Sequence, residues 1–163
     1  NNCMDAATFS REATACQRLL YHICWAMMHN EADCADAVQE ALLRAWQRRD
    51  GLRDPEAFRP WLCRITANVC KDMLRRQHRR QMVPLSENLA AAPYDEDGLA
   101  LRQAMEQLSP QQRAAVALHY FDGLSVEEVS RALGIPKGTV KSRLLYARRN
   151  LEQLLCQETE VSV

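Results

Sequence analysis

Residues 125–151 read SVEEVSRALGIPKGTVKSRLLYARRNL, and this stretch decides the fold. Ser125 followed three residues later by Glu128 is a capping box, in which each side chain satisfies a free backbone N–H of the first turn. It opens a short helix to Leu133, and Gly134 stops that helix because glycine adopts the left-handed conformation a C-terminal cap requires. After Ile135-Pro136 a further helix begins, with Val140, Leu144, Ala147, Leu151 and Leu154 recurring at spacings of four, three, four and three. A short helix, a tight glycine turn and a second helix form a helix-turn-helix pattern.

In such a pattern the second helix lies in the major groove with its N-terminal part on the bases. The face opposite the apolar seam carries Lys137, Thr139, Lys141, Ser142, Leu145, Tyr146, Arg148 and Arg149. Lys141 and Ser142 reach base edges, and Leu145 offers apolar contact to a thymine methyl. Arg148 and Arg149 suit phosphates. The plainer reading of the same residues is a helical hairpin that binds only protein.

Upstream, Ser109-Pro110-Gln111-Gln112 combines an N-cap, a proline in the first turn and a glutamine three residues after the cap. The helix it starts contains Val116, Leu118 and Tyr120 and ends before Asp122-Gly123. Before it, residues 86–108 hold one Lys/Arg against five Asp/Glu, with Ala90-Ala91-Ala92-Pro93 and Asp95-Glu96-Asp97-Gly98. This shift in composition marks an acidic linker at 83–104, between a domain at 1–82 and another at 105–163.

The first domain also reads as helical. Residues 13–28 are apolar at helical spacing, and residues 30–33 break the pattern with capping side chains. Val38, Leu42 and Ala45 form a second amphipathic helix to about Arg49, stopped by Asp50-Gly51. Asp54-Pro55 is a further start signal, and a third helix runs from about Pro60 to about Arg80. There Leu62, Ile65, Val69 and Met73 make one apolar stripe, while Trp61, Arg64, Asn68, Lys71 and Arg75 make another face. Cations hold phosphate, an aromatic stacks on an unpaired base and an asparagine pairs with a base edge, so that face suits nucleic acid. The bland alternative is a solvated basic face with Trp61 covering the edge of the core. No alternating strand pattern of convincing length occurs, so the expected fold class is all-α, two small helical domains joined by a flexible linker.

Composition limits the classes available. The 163 residues carry 21 Lys/Arg and 21 Asp/Glu, which argues against bulk polycation binding but permits a local basic face. Residues 1–85 hold 13 Lys/Arg against 10 Asp/Glu, and residues 109–163 hold 7 against 6. No apolar run approaches the roughly 20 residues that cross a bilayer, and no leader pattern is evident, so a cytoplasmic location is expected. The seven cysteines are Cys3, Cys16, Cys24, Cys34, Cys63, Cys70 and Cys156, an odd number without C-x-x-C spacing. They read as small buried hydrophobes in a reducing compartment. The sharper alternative is a metal or redox site at His22, Cys24, His29 and Cys34, although their spacings do not place three ligands on one helical face. No catalytic constellation, phosphate loop or metalloprotease motif is present, so no enzyme activity, cofactor or metal is expected.

The motifs together resemble a known family. Residues 36–46, DAVQEALLRAW, are similar to the opening signature of region 2 in bacterial sigma factors. Residues 58–68, FRPWLCRITAN, are similar to the region 2.3–2.4 signature that follows it. Leu108-Ser109-Pro110, Asp122-Gly123-Leu124-Ser125 and residues 138–143, GTVKSR, resemble region 4. Two regions and a short linker match the extracytoplasmic-function class, group 4 of the sigma-70 family.

This resemblance implies roles for the matching positions. Asp36, Gln39, Glu40 and Leu43 would dock on the clamp helices of the polymerase β′ subunit, and region 4 would meet the β flap. The third helix, with Trp61, Arg64, Asn68, Lys71, Arg75 and Arg76, would read and help melt the −10 element, with Asn68 near a flipped base. The helix from Lys137 to Arg149, Arg143 included, would read the −35 element. The expected partners are core RNA polymerase, promoter DNA and an anti-sigma factor, with no membrane insertion. The chief alternative is a stand-alone helix-turn-helix regulator, which leaves the Trp61–Arg75 stripe and the helix bearing Asp36 and Leu43 without a role. A further one is a helical adaptor that does not bind DNA.

Overall fold

The computed structural model describes residues 4–80 and 99–161. Among these residues the elements are α1 (Ala6–Met28), α2 (Glu31–Arg48), α3 (Phe58–Arg80), α4 (Leu99–Glu106), α5 (Pro110–Val116), α6 (Val126–Leu133) and α7 (Lys137–Val161). No strand occurs among the described residues, in keeping with the all-α expectation. Most of the expected acidic linker lies outside the described residues, as does Cys3. Its last residues are helical, because α4 begins at Leu99.

Local chemistry accounts for the helix ends. The Asp5 side chain accepts from Thr8 N at 2.7 Å, so α1 starts seven residues earlier than the apolar pattern beginning at Ala13 suggests. The extra turns are used: Phe9 is buried, with its ring 5.2 Å from Trp46 and 5.6 Å from Phe58, both edge-on. His29 ends α1 in the left-handed conformation at φ 52°, and Asn30 caps α2 by accepting from Asp33 N. Asp54 caps a 3₁₀ turn, Pro55–Ala57, that runs directly into α3. Ser109 with Gln112, and Ser125 with Glu128, both form complete capping boxes. Gly134 closes α6 at φ 67° with its N–H on the Ser130 carbonyl. The expected single helix ending before Asp122 differs in its last turn. Ala117–Phe121 widens into a π-helical turn, with Asp122 N bonded to Ala117 O and Leu124 N to Leu118 O.

Helices α1, α2 and α3 pack on one another around Leu20, Ile23, Phe58, Leu62 and Val69. Helices α4 to α7 gather around Leu118, Val129, Val140 and Ala147. The two groups share one continuous apolar cluster, because α6 rests on α3 and α5 rests on α1.

Five cysteines, Cys16, Cys24, Cys34, Cys63 and Cys70, are buried in this core and unbonded, while Cys156 is exposed. Burial raises the thiol pKa values of Cys34 and Cys63 to about 12, because a thiolate would lose its hydration there. Iodoacetamide added to the native protein at pH 8 is therefore expected to modify Cys156 and leave the five buried thiols intact. Peptide mass spectrometry checks this, and rapid alkylation of Cys63 or Cys70 would contradict it.

Candidate nucleic-acid and polymerase interface

Helix α3 carries the first candidate surface. Its apolar residues Leu62, Ile65, Val69 and Cys70 are buried, which turns Arg64, Asn68, Arg75 and Arg76 outward. Trp61 is half-buried, its ring tilted 5.8 Å from Phe58, so the indole belongs partly to the core. Lys71 is also half-buried. Burial lowers its pKa, and Arg143, Arg75 and Arg64 add to the shift as neighbouring positive charges. Cations of α3 and α7 thus both disfavour the charged form of Lys71.

Asp72 partly neutralises the C-terminal half of this stripe. It pairs with Arg75 at 3.6 Å and with Arg44 of α2 at 3.3 Å, and Arg44 in turn bonds Glu40 at 2.7 Å. The Glu40 hydrogen bond is the main cause of the raised pKa of Arg44. This chain of charges fixes α2 against α3. The i, i+4 pairing of Glu40 and Arg44 is legible in the sequence; the contact with Asp72 is not.

Helix α2 presents the second surface. Ala37, Ala41 and Ala45 are buried, so Asp36, Gln39 and Leu43 face outward together, with Leu43 52% exposed. Glu40 lies at the edge of this face and is already engaged by Arg44. An exposed leucine between polar neighbours has the make-up of a docking anchor.

Helix α7 carries the third surface. Val140, Leu144 and Ala147 are buried, which leaves Lys137, Lys141, Ser142, Leu145, Tyr146, Arg148 and Arg149 exposed. Thr139 and Arg143 are half-covered. Lys137 lies 3.6 Å from Glu127, whose carboxyl is held below its usual pKa mainly by Arg131 and then by Lys137. Ser142 Oγ donates to Gly138 O at 2.9 Å, so the hydroxyl has a local partner. Arg148 donates to the Tyr120 hydroxyl at 2.5 Å and stands beside the apolar groove of Val116, Leu151 and Leu155. Lys141 is exposed in the first turns of α7.

The sequence reading passed over the residues that join the two halves. Arg113 is 8% exposed and donates from Nε to Ala26 O at 2.6 Å, and from Nη1 to Leu108 O at 2.9 Å and Glu106 O at 3.3 Å. His22 Nδ1 meets Asp122 Oδ1 at 2.8 Å. The alternative metal site does not assemble: His22 is bonded to Asp122, Cys24 meets Cys70 sulfur to sulfur at 3.6 Å, and His29 lies against Trp25. Among the described residues no group of three or more ligand-type side chains could hold a metal ion. No described helix is long and apolar enough to cross a membrane.

Comparison with known proteins gives these surfaces a context. A family model of sigma-70 region 2 matches residues 13–80, and one of sigma-70 region 4 matches residues 98–151. The chain is 32% identical over 151 residues to the ECF RNA polymerase sigma factor SigE of Mycolicibacterium smegmatis, covering 86% of this chain and 58% of that protein. It is 35% identical over 141 residues to SigM of Mycobacterium tuberculosis, covering 85% of this chain and 72% of the relative. The chain thus spans less than two thirds of the length of the first of these relatives. Among solved structures, the sigma factor RpoE in complex with the anti-sigma factor NepR from Bartonella quintana superposes with a TM-score of 0.76. It is 25% identical, with 90% of this chain and 96% of that one covered. Two family regions in the right order, on two helical groups of the matching fold, place this chain in the extracytoplasmic-function group of the sigma-70 family.

Proposed function

We propose that the chain acts as a sigma factor: it binds core RNA polymerase and directs initiation at promoters it reads through two elements. The observation that carries this reading is the coexistence, in one small chain, of an outward α2 face and two basic helices. Asp36, Gln39, Glu40 and Leu43 would meet the β′ clamp, and region 4 would meet the β flap. Trp61, Arg64, Asn68, Lys71, Arg75 and Arg76 would engage the −10 element as an unpaired strand, cations on phosphates and the indole beneath a base. Lys137, Thr139, Lys141, Ser142, Arg143, Leu145, Tyr146, Arg148 and Arg149 would address the −35 element in the major groove.

The chain catalyses nothing by itself in this reading and works in the cytoplasm, where the polymerase is. An anti-sigma factor is a further partner, since the RpoE structure that superposes on this chain contains one. The domain division follows the same reading, with region 2 at 1–82, an acidic linker at 83–104 and region 4 at 105–163.

The test is pull-down of bacterial core RNA polymerase followed by run-off transcription on a genomic fragment library. Stoichiometric binding with new, promoter-specific starts supports the proposal. Tight promoter binding without polymerase would favour the stand-alone regulator instead.

Lys141 gives a sharper version. Lys141→Ala is expected to weaken −35 recognition by about 1–3 kcal/mol, the worth of one good base contact. Holoenzyme binding to promoters with matched and altered −35 elements measures it. An equal loss on both templates would reassign Lys141 to a phosphate.

A further inference from the structure

Five buried thiols gather where α1, α2 and α3 pack together. Helix α1 contributes Cys16 and Cys24, and α3 contributes Cys63 and Cys70, in each case about two turns apart on the buried stripe of the helix. At one level of this seam Cys70 donates its S–H to Cys24 Sγ at 3.6 Å, across a sequence separation of 46 residues. Both side chains are fully buried. We infer that Cys24 and Cys70 form an oxidation site, at which peroxide joins the two sulfurs in a reversible disulfide that fastens α1 to α3. The proposal stands apart from the promoter reading and needs no residue of the candidate DNA surfaces.

Three observations support it. First, the sulfurs already touch. Closing from 3.6 Å to the roughly 2.05 Å of an S–S bond divides a small movement between two side chains. Thiols held in contact by the fold also combine far more readily than thiols on an open chain, because their approach is already fixed. Second, the product suits its surroundings. The neighbouring residues Leu20, Ile23, Ala67 and Val69 are buried as well. A metal-bound or free thiolate would place charge in that apolar core, whereas a disulfide is neutral and leaves no donor unpaired. Third, the bond would enclose the whole of α2 in a closed loop and tie both of its packing partners together. Cross-links that close long loops restrict the unfolded chain most.

The step balances with hydrogen peroxide as the oxidant. One sulfur, as thiolate, attacks a peroxide oxygen: an S–O bond forms, the O–O bond breaks, and the departing hydroxide takes up the thiol proton as water. The second sulfur then attacks the first. The S–S bond forms, the S–O bond breaks, and the oxygen leaves as a second water with the other thiol proton. Two thiols are oxidised and one peroxide is reduced. The hydrogen bond from Cys70, and then burial, raise the pKa of Cys24, so its thiolate is scarce and the reaction slow. Exposed Cys156 meets peroxide first. The buried pair therefore responds to sustained oxidation rather than to a brief pulse, and a dithiol reductant restores it.

Prolonged exposure of the native full chain to hydrogen peroxide tests the site. Remaining thiols are then blocked with iodoacetamide under denaturing conditions, and peptide mass spectrometry without reduction maps the links. A Cys24–Cys70 peptide pair is expected. The thermal midpoint, read by circular dichroism, is expected to rise by roughly 10 °C, and dithiothreitol is expected to reverse both changes. Cys24→Ala and Cys70→Ala, with helicity kept, are each expected to abolish the link and the shift. The mapping on the wild-type chain decides the matter even where a variant folds poorly. The same treatment in concentrated urea is expected to scatter links among the cysteines.

Oxidised Cys156 with Cys24 and Cys70 still free would overturn the proposal. So would a Cys16–Cys63 link, or one to Cys34, formed in place of Cys24–Cys70. A Cys24–Cys70 link equally abundant in urea would show that the fold does not direct it, and a link that leaves the midpoint unchanged or lowers it would show that the native packing does not accommodate it.

Discussion

Phe58→Ala is expected to cost about 3–5 kcal/mol, the usual loss when a buried phenylalanine is truncated. Phe58 is 2% exposed at the first residue of α3, and its ring touches Phe9 of α1 and Trp61 one turn on. It therefore ties the start of α1 to the start of the candidate −10 helix. Removing the ring leaves a void that three helices cannot close without moving apart. A domain of this size has only about 5–15 kcal/mol in total, so the variant should sit near its unfolding threshold. Urea denaturation followed by circular dichroism measures the effect as a lower midpoint at unchanged slope. Phe58→Leu keeps most of the apolar volume and should cost less than half as much. A loss under about 1 kcal/mol in the alanine variant would mean that the neighbours refill the site, against the close packing of this cluster.

The second large effect is expected at Arg113. Its guanidinium is buried with its hydrogen bonds on backbone carbonyls, and burial pulls its pKa down to about 10, against a smaller opposing effect of the Glu106 charge. It is still protonated at neutral pH. Below about 10 the group is charged in both folded and unfolded states, so it gives stability no pH dependence there. Only above that range does the unfolded chain hold the proton more tightly, so the cost of burying the charge is relieved as pH rises further. What offsets this cost is the fork of donors on the carbonyls of Ala26, Leu108 and Glu106.

Arg113→Met keeps the stem and removes the donors, so each carbonyl left buried and unpaired costs about 1–3 kcal/mol. Arg113→Lys retains the charge but not the planar fork, and should fail to restore the loss, because one ammonium cannot point both along region 4 and across to α1. Thermal and urea unfolding of both variants measures this. Full rescue by lysine would show that charge, not geometry, matters at this position. Two of the three bonds lie within region 4, so this variant reads region 4 stability as well as its junction with region 2.

These two residues also mark how far the sequence could be read. Phe58 is visible in the motif that resembles region 2, and the capping side chains Asn30, Asp54, Ser109 and Ser125 stand where the structure uses them. Such signals act over three or four residues, so a linear reading captures them. Gly134 is legible for the same reason: a left-handed cap is a property of one residue and its own backbone. The outward face of α7 also follows from helical periodicity, because a buried stripe fixes what lies opposite it, whereas that of α2 comes from the family resemblance. Where the local signal is weak, the structure departs from the sequence pattern. Helix α1 starts before the apolar pattern does because its first turns are held by Phe9 packing on distant aromatic rings, and the end of α5 opens into a π-helical turn that no spacing announces.

By itself, then, the sequence determined the helical class, the caps, the helix-turn-helix corner and the family, all of which are written in short-range spacing. Only the tertiary structure decided what those helices do to one another. It set Asp122, which the sequence shows only as part of a turn, against His22, a residue 100 positions away, and turned a last-turn arginine of α5 into the link to α1. It also buried five cysteines as apolar filler, engaged Arg148 with Tyr120, and laid the helix-turn-helix corner on Arg64. The reason is physical: capping and periodicity are settled within one or two turns, whereas burial and charge pairing depend on which surfaces meet after the chain has folded back on itself.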